Sequence, residues 1–136
     1  MRAMTVIWAE SYETGNFDID QQHRELLALV DELECAESES KDALFRVLDH
    51  VMDFTVTHFS REEDLMIEVD YPLPARDQMI EQHKEFVAYV RLRFIEFRGG
   101  ELVSVMPLQA FLVGWLTLHE FGLDRALADF IRAREA

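Results

Sequence analysis

One cysteine, Cys35, is all the chain has among 136 residues. That excludes an internal disulfide and any multi-cysteine zinc ribbon or iron–sulfur site. With no lysine or arginine beside it before Lys41, Cys35 reads as a structural thiol rather than a redox one. Glycine (5) and proline (3) are scarce, too few for the turns of an all-β chain. Basic residues are outnumbered, with 13 Lys and Arg against 27 Asp and Glu, so the formal net charge is −14. Nucleic acid and anionic membranes are thereby disfavoured as partners, and Arg91, Arg93 and Arg98 do not make a nucleic-acid footprint against that background. The longest apolar stretch, Ala110 to Leu118, is broken by Gly114 and Thr117, well short of the ~20 residues of a membrane-spanning helix. The opening segment MRAMTVIWAE has no signal-peptide apolar region. A cytoplasmic domain is expected.

What is present is apolar content and helical periodicity. Hydrophobic residues make up 49%, which excludes a disordered chain, and a chain of this size buries roughly two-thirds of its unfolded surface. One domain over residues 1–136 is expected. Four amphipathic blocks follow each other. The first runs from about Asp18 to Ala36, capped by Asp18 or Asp20, with Leu26, Leu27, Val30 and Leu33 at helical spacing. The second runs from about Lys41 to Val69 with Leu44, Val47, Leu48, Val51, Thr55 and Phe59 on one stripe, and Asp70-Tyr71-Pro72 stops it. The third runs from about Ala75 to Arg98 and ends at Gly99-Gly100. The fourth begins near Pro107, and a short last helix follows or overlaps Gly122. Such blocks with short connections predict an all-α, up-down-up-down four-helix bundle. An extended N-terminal arm, Met1 to Phe17, is expected to pin itself to the bundle through Trp8, Tyr12 and Phe17.

The histidines carry the chemistry. His23, His58, His83 and His119 fall on the inner stripes, one per helix, whereas His50 is off its stripe and expected outside any site. A lone histidine on an apolar face is ordinarily a hydrogen-bonded core residue. Four on four helices are a different matter, because each buried imidazole needs a polar partner and a metal on the bundle axis satisfies several at once. Glu62 lies four residues after His58, on the same helix face. Asp124 lies five after His119, and Glu120 four before Asp124. Glu63 and Asp64 rotate away from His58 and are expected to be solvated. Imidazole with carboxylate and no thiolate favours iron, manganese or zinc. Two carboxylates able to bridge favour a metal pair, pointing to a non-haem diiron centre. The paired Glu-x-x-His motifs of ferritin-like proteins are absent, since neither His58 nor His119 follows a glutamate by three.

These residues give the chain a resemblance to bacterial hemerythrins. The matching pieces are Trp8, Ile19-Asp20-x-Gln22-His23, His58-Phe59-x-x-Glu62-Glu63-x-Leu65-Met66, Tyr71-Pro72, His83-x-x-Phe86 and Trp115-Leu116-x-x-His119 followed by Asp124. Each piece is weak alone, but their order and spacing span nearly the whole chain. The resemblance implies two iron ions with a bridging oxo or hydroxo group. His23 and His58 would ligate one iron and His83 and His119 the other, with Glu62 and Asp124 bridging. It implies oxygen, or a related small oxidant, as the ligand at an open metal position, lined by Phe59, Met79, Trp115 and Leu116.

The sequence departs from that family in two places. Where the third helix of the family carries a second histidine, four before His83, this chain has Met79. A thioether is a poor ligand for oxidised iron, so Met79 reads as core filler, and Asp77 and Glu81 rotate off the His83 face. After His119, where the family places an apolar residue, stands Glu120. It either coordinates iron in place of the missing histidine or lies on a solvated face. A carboxylate there would stabilise oxidised iron and impair reversible oxygen carriage. Three functions therefore stand side by side: an oxygen-binding, storage or sensing protein; a diiron peroxidase, oxidase or nitric-oxide-reactive enzyme; and a mono-metal or metal-free signalling bundle. A sensor of this length would act through a protein partner.

Overall fold

A computed structural model of the chain describes residues 13–100 and 104–135, with residues 118–121 described by their backbone alone. The described chain is all-α. Helix α1 spans Phe17–Glu39, α2 Lys41–Glu68, α3 Leu73–Arg98 and α4 Met106–His119; a π turn, Glu120–Asp124, leads without a break into α5, Arg125–Glu135. Trp8 and Tyr12, and with them most of the expected arm, lie outside the described residues. Phe17 does not pin an arm: it is the first residue of α1 and 77% exposed.

Local chemistry sets the helix ends. The cap of α1 is Asn16, whose side chain accepts from the Ile19 N–H, not Asp18 or Asp20. Asp20 is buried and holds the preceding turn instead, accepting from the Thr14 N–H and hydroxyl (both 2.8 Å) and from the Gly15 N–H (3.2 Å). Gly15 sits at φ +90°, and a Cβ there would come within 3.1 Å of the Arg132 guanidinium, which donates to the Thr14 carbonyl at 2.8 Å. Both backbone conformation and space therefore call for glycine. One residue separates α1 from α2. Ser40 is extended; its N–H donates to the Ala36 carbonyl and its side chain accepts from the Ala43 N–H, so it ends one helix and starts the next. Asp70 at φ +57° turns the chain between α2 and α3, and α3 begins two residues earlier than its apolar stripe suggests because Pro74 fits a first turn.

Short connections make sequential helices antiparallel, and contact of α1 with α4 closes the bundle. The core has two parts. The larger holds Leu26, Val30, Leu33, Leu48, Val51, Phe59, Phe86, Val90, Leu108, Leu112 and Leu116. The smaller holds Ile19, Met66, Tyr71, Met79, Leu127, Ala128 and Ile131. In α1, α2, α3 and the π turn a buried histidine or carboxylate falls between the two sets: His23 between Ile19 and Leu26, Glu62 between Phe59 and Met66, His83 between Met79 and Phe86, Asp124 between Leu116 and Leu127. A polar layer therefore divides the apolar core. Burial of each large aliphatic side chain on either side stabilises the fold by roughly 1.5–3 kcal/mol, and that burial holds the polar layer in place. Among the described residues, no helix is long and apolar enough to cross a membrane.

Candidate metal centre

His23 comes from the second turn of α1, His58 and Glu62 from successive turns of α2, His83 from the middle of α3, and Asp124 from the end of the π turn. All five are buried, Glu62 and Asp124 completely. The π turn bears on the spacing: a wide turn aligns positions five apart, and such single-turn bulges recur at functional sites. It spans Glu120–Asp124, directly after His119 at the end of α4. The side chains of His119 and Glu120 fall outside the described residues, and with them the expectations placed on those two.

The layer is tightly connected. His23 Nε2 lies 2.7 Å from an Asp124 carboxylate oxygen, linking α1 to the π turn. His58 Nε2 lies 2.6 Å from Glu62 Oε1, and His83 Nε2 lies 4.0 Å from Glu62 Oε2. The two oxygens of one glutamate thus face imidazoles on two helices. Behind each of those rings is an acceptor. The Gln22 amide oxygen takes the Nδ1–H of His58, and a Glu63 carboxylate oxygen takes the Nδ1–H of His83 at 3.0 Å. Both acceptors take the Nδ1 proton, which leaves Nε2, the nitrogen directed at Glu62, as the atom of each ring that a metal would take.

The donor set fits a metal. One ligand atom each from His23, His58, Glu62 and Asp124 lies within 4.8 Å of the others. Donors around one transition-metal ion, each at about 2.0–2.2 Å, span up to roughly 4.4 Å, a spread of the same order. Two fully buried carboxylates among imidazoles are costly without a compensating cation, and imidazole–carboxylate donors suit iron, manganese or zinc. The field of Asp124 also reaches Tyr71, whose phenol is pushed above its ordinary value of 10.0, first by burial and second by the Asp124 charge.

Aromatic rings pack against the layer. Phe59 stacks on His83 at 4.0 Å and meets Trp115 edge-on at 5.9 Å, while Phe54 stacks on His58 at 5.7 Å. Leu116 is buried in the larger core. Met79 belongs to the smaller one, beside Ile19 and Met66, which agrees with its reading as core filler. Asp77, Glu81 and His50 are exposed.

Two residues have roles here that the sequence reading did not give them. Glu63, expected to be solvated, is half-buried and bonded to His83; Gln22 had a place in a motif but no role. Helical periodicity shows which residues share a face of one helix. Both of these reach across to another helix, so no spacing rule could find them.

The class is now defined: a four-helix bundle whose core carries a buried histidine–carboxylate layer able to hold a metal. A family model for the hemerythrin HHE cation-binding domain matches residues 14–131. A bacteriohemerythrin of Stenotrophomonas maltophilia is 35% identical over 129 residues, covering 94% of this chain and 82% of that protein. One from Pseudomonas aeruginosa is 28% identical over 128 residues, covering 93% and 82%. A hemerythrin-like protein of Naegleria gruberi is 30% identical over 117 residues, 86% of each chain. The chain belongs to the hemerythrin HHE cation-binding family.

Proposed function

We propose that the chain holds a pair of irons and binds dioxygen or a related small oxidant there, in the cytoplasm, for storage, delivery or sensing. His23 and His58 would serve one iron and His83 and His119 the other, with Glu62 and Asp124 shared between them. Glu120 is the proposed further ligand on the His83 side, where Met79 stands in place of a nitrogen donor. The observation that carries this reading is the span of Glu62, with its oxygens 2.6 Å from His58 Nε2 and 4.0 Å from His83 Nε2.

Two irons, when bound, supply reversible changes of charge at adjacent metals. The chain's own residues do the rest. Glu62 and Asp124 offset cationic charge in a site without solvent. Gln22 and Glu63 hold two imidazoles with Nε2 inward. Phe59, stacked on His83, and buried Leu116 keep water from the layer, which strengthens every electrostatic interaction within it.

A second reading has support of its own. The four ligand atoms that cluster within 4.8 Å come from His23, His58, Glu62 and Asp124, without His83, as a mononuclear site would require. Iron content per chain, measured with the optical spectrum after iron loading in air, separates the two. Two irons with oxo-bridged ferric bands carry the diiron reading. One iron leaves the mononuclear site, and none leaves a metal-free bundle. With two irons established, reversible oxygen uptake would indicate a carrier or sensor. Sustained turnover of peroxide or nitric oxide with a reductant would indicate an enzyme.

A further inference from the structure

Six rings of the bundle form one continuous run that starts on a histidine of the metal layer and leads outward along α3. Phe59 of α2 stacks on His83, with ring centres 4.0 Å apart and planes 7° from parallel. Phe59 meets Phe86 at 5.2 Å and Trp115 at 5.9 Å, both edge to face, and Phe86 meets Trp115 at 4.8 Å. The run continues from Phe86 to Phe111 at 5.2 Å, and Phe111 of α4 stacks on Tyr89 of α3 at 3.9 Å. Every step is shorter than the roughly 7 Å limit for aromatic rings in contact.

Two side chains of the run give up an electron readily, the indole of Trp115 and the phenol of Tyr89. Phenylalanine does so far less readily, and Phe59, Phe86 and Phe111 supply close packing between the other rings. The order matters. Trp115 is one ring from His83, and Tyr89, half-buried, is the outer end. Tyr71, the other described tyrosine, lies outside the run, in the smaller core against Phe130.

We propose that Tyr89 and Trp115 relay single electrons from a reductant in solution to the metal layer, resetting it after an oxidant has reacted there. The relay rests on the reading of that layer as an iron centre. The Trp115 indole gives one electron to an oxidised iron and recovers it from the Tyr89 phenol, whose O–H proton passes to water. A one-electron reductant such as ascorbate returns the electron to Tyr89, and water returns the proton. Both rings end as they began, and one reductant electron has reduced one iron. The Arg93 guanidinium lies 4.9 Å from the Tyr89 ring centre and is paired with Glu96 at 2.6 Å. A cation so placed disfavours a positive charge on the ring, so the phenol proton leaves with the electron.

The test uses the full chain in a Trp8→Phe background, where Trp115 is the one tryptophan. In a first arm the metal-free chain is oxidised by azide radicals from pulse radiolysis, which attack indole, and the absorption bands of indolyl and phenoxyl radicals are followed in time. The indolyl radical is expected to decay as a phenoxyl radical forms, at a rate independent of protein concentration. Tyr89→Phe is expected to abolish that phenoxyl and prolong the indolyl radical, whereas Tyr71→Phe changes neither. Phenoxyl formed at the parent rate in Tyr89→Phe, or none formed in the parent, overturns the proposal. In a second arm the iron-loaded, air-oxidised chain is reduced with ascorbate, the fading of ferric absorption is timed and iron is counted per chain. Tyr89→Phe and Trp115→Phe are each expected to slow this reduction severalfold at unchanged iron content. Unchanged rates overturn delivery to the layer, whatever the first arm gives. A chain that takes up no iron overturns it too, and the iron count marks that failure as one of the metal reading, since the first arm needs no metal.

Discussion

The Nδ1 of His83 lies 3.0 Å from a carboxylate oxygen of Glu63, while the neighbouring residue, Glu62, approaches the other nitrogen of the same ring. Two consecutive glutamates of α2 thus address both sides of one α3 imidazole. The two inward-facing rings differ in their support: His58 is held by the neutral amide of Gln22, His83 by a carboxylate. A carboxylate acceptor makes an imidazole the more basic ligand.

Replacing Glu63 by Gln keeps the size and removes the charge. Loss of such an outer partner lowers metal affinity roughly 10–100-fold, and the same is expected here, read by competition with a chelator of known affinity. An unchanged affinity would show that His83 needs no charged partner to act as a ligand.

Metal bound only by the folded chain adds to its stability, by about 2.7 kcal/mol at a hundredfold excess over Kd. Thermal melts with and without iron are expected to differ accordingly in the parent chain. In Glu62→Gln the rise should largely vanish, because the carboxylate that faces both His58 and His83 is gone. A variant that still gains the full increment would remove Glu62 from the ligand set.

Asp20 takes three hydrogen bonds from the Thr14–Gly15 turn while itself buried. Asp20→Ala leaves those donors without their acceptor and is expected to destabilise the chain by about 1–3 kcal/mol. The urea midpoint measures this directly. A change of a few tenths would mean the turn re-forms its bonds with water.

Tyr71 gives the stability an alkaline limb. Burial, and secondarily the Asp124 charge, raise its folded-state pKa above the ordinary 10.0, so folding favours the neutral phenol. The resulting stabilisation is fully present below the unfolded value near 10.0 and is lost as pH rises through the higher folded value. Denaturant midpoints of the parent are expected to fall across that range more steeply than those of Tyr71→Phe. Parallel limbs would assign the alkaline loss to other groups.

Much of the fold was legible in the sequence because it depends on spacing within one helix. Leu26, Leu33, Leu48 and Val51, read as inner-stripe residues from their periods, are all buried. Gly99 ends α3 as expected, and α2 ends at Glu68, just ahead of the expected Asp70-Tyr71-Pro72 stop, while Pro72 itself stands at the start of α3. His23, His58, Glu62 and His83 could be picked out because a polar residue on an apolar stripe breaks the pattern, and the structure buries all four.

What spacing leaves open is which residue of another helix stands opposite. Asp20 had the composition of a cap, but Asn16 took that role because the Thr14–Gly15 turn folds back onto the Asp20 carboxylate. Phe17 looked like an anchor and is exposed at the start of α1. Glu63 looked solvated beside Glu62, yet α3 places His83 within its reach. The sequence by itself determined the helices, their inward faces and the residue types of a metal layer, since these follow from a 3.6-residue period and the cost of burying charge. Only the tertiary structure decided which acceptor stands behind each imidazole and how one glutamate comes to face two of them, since both depend on side chains brought together from separate helices.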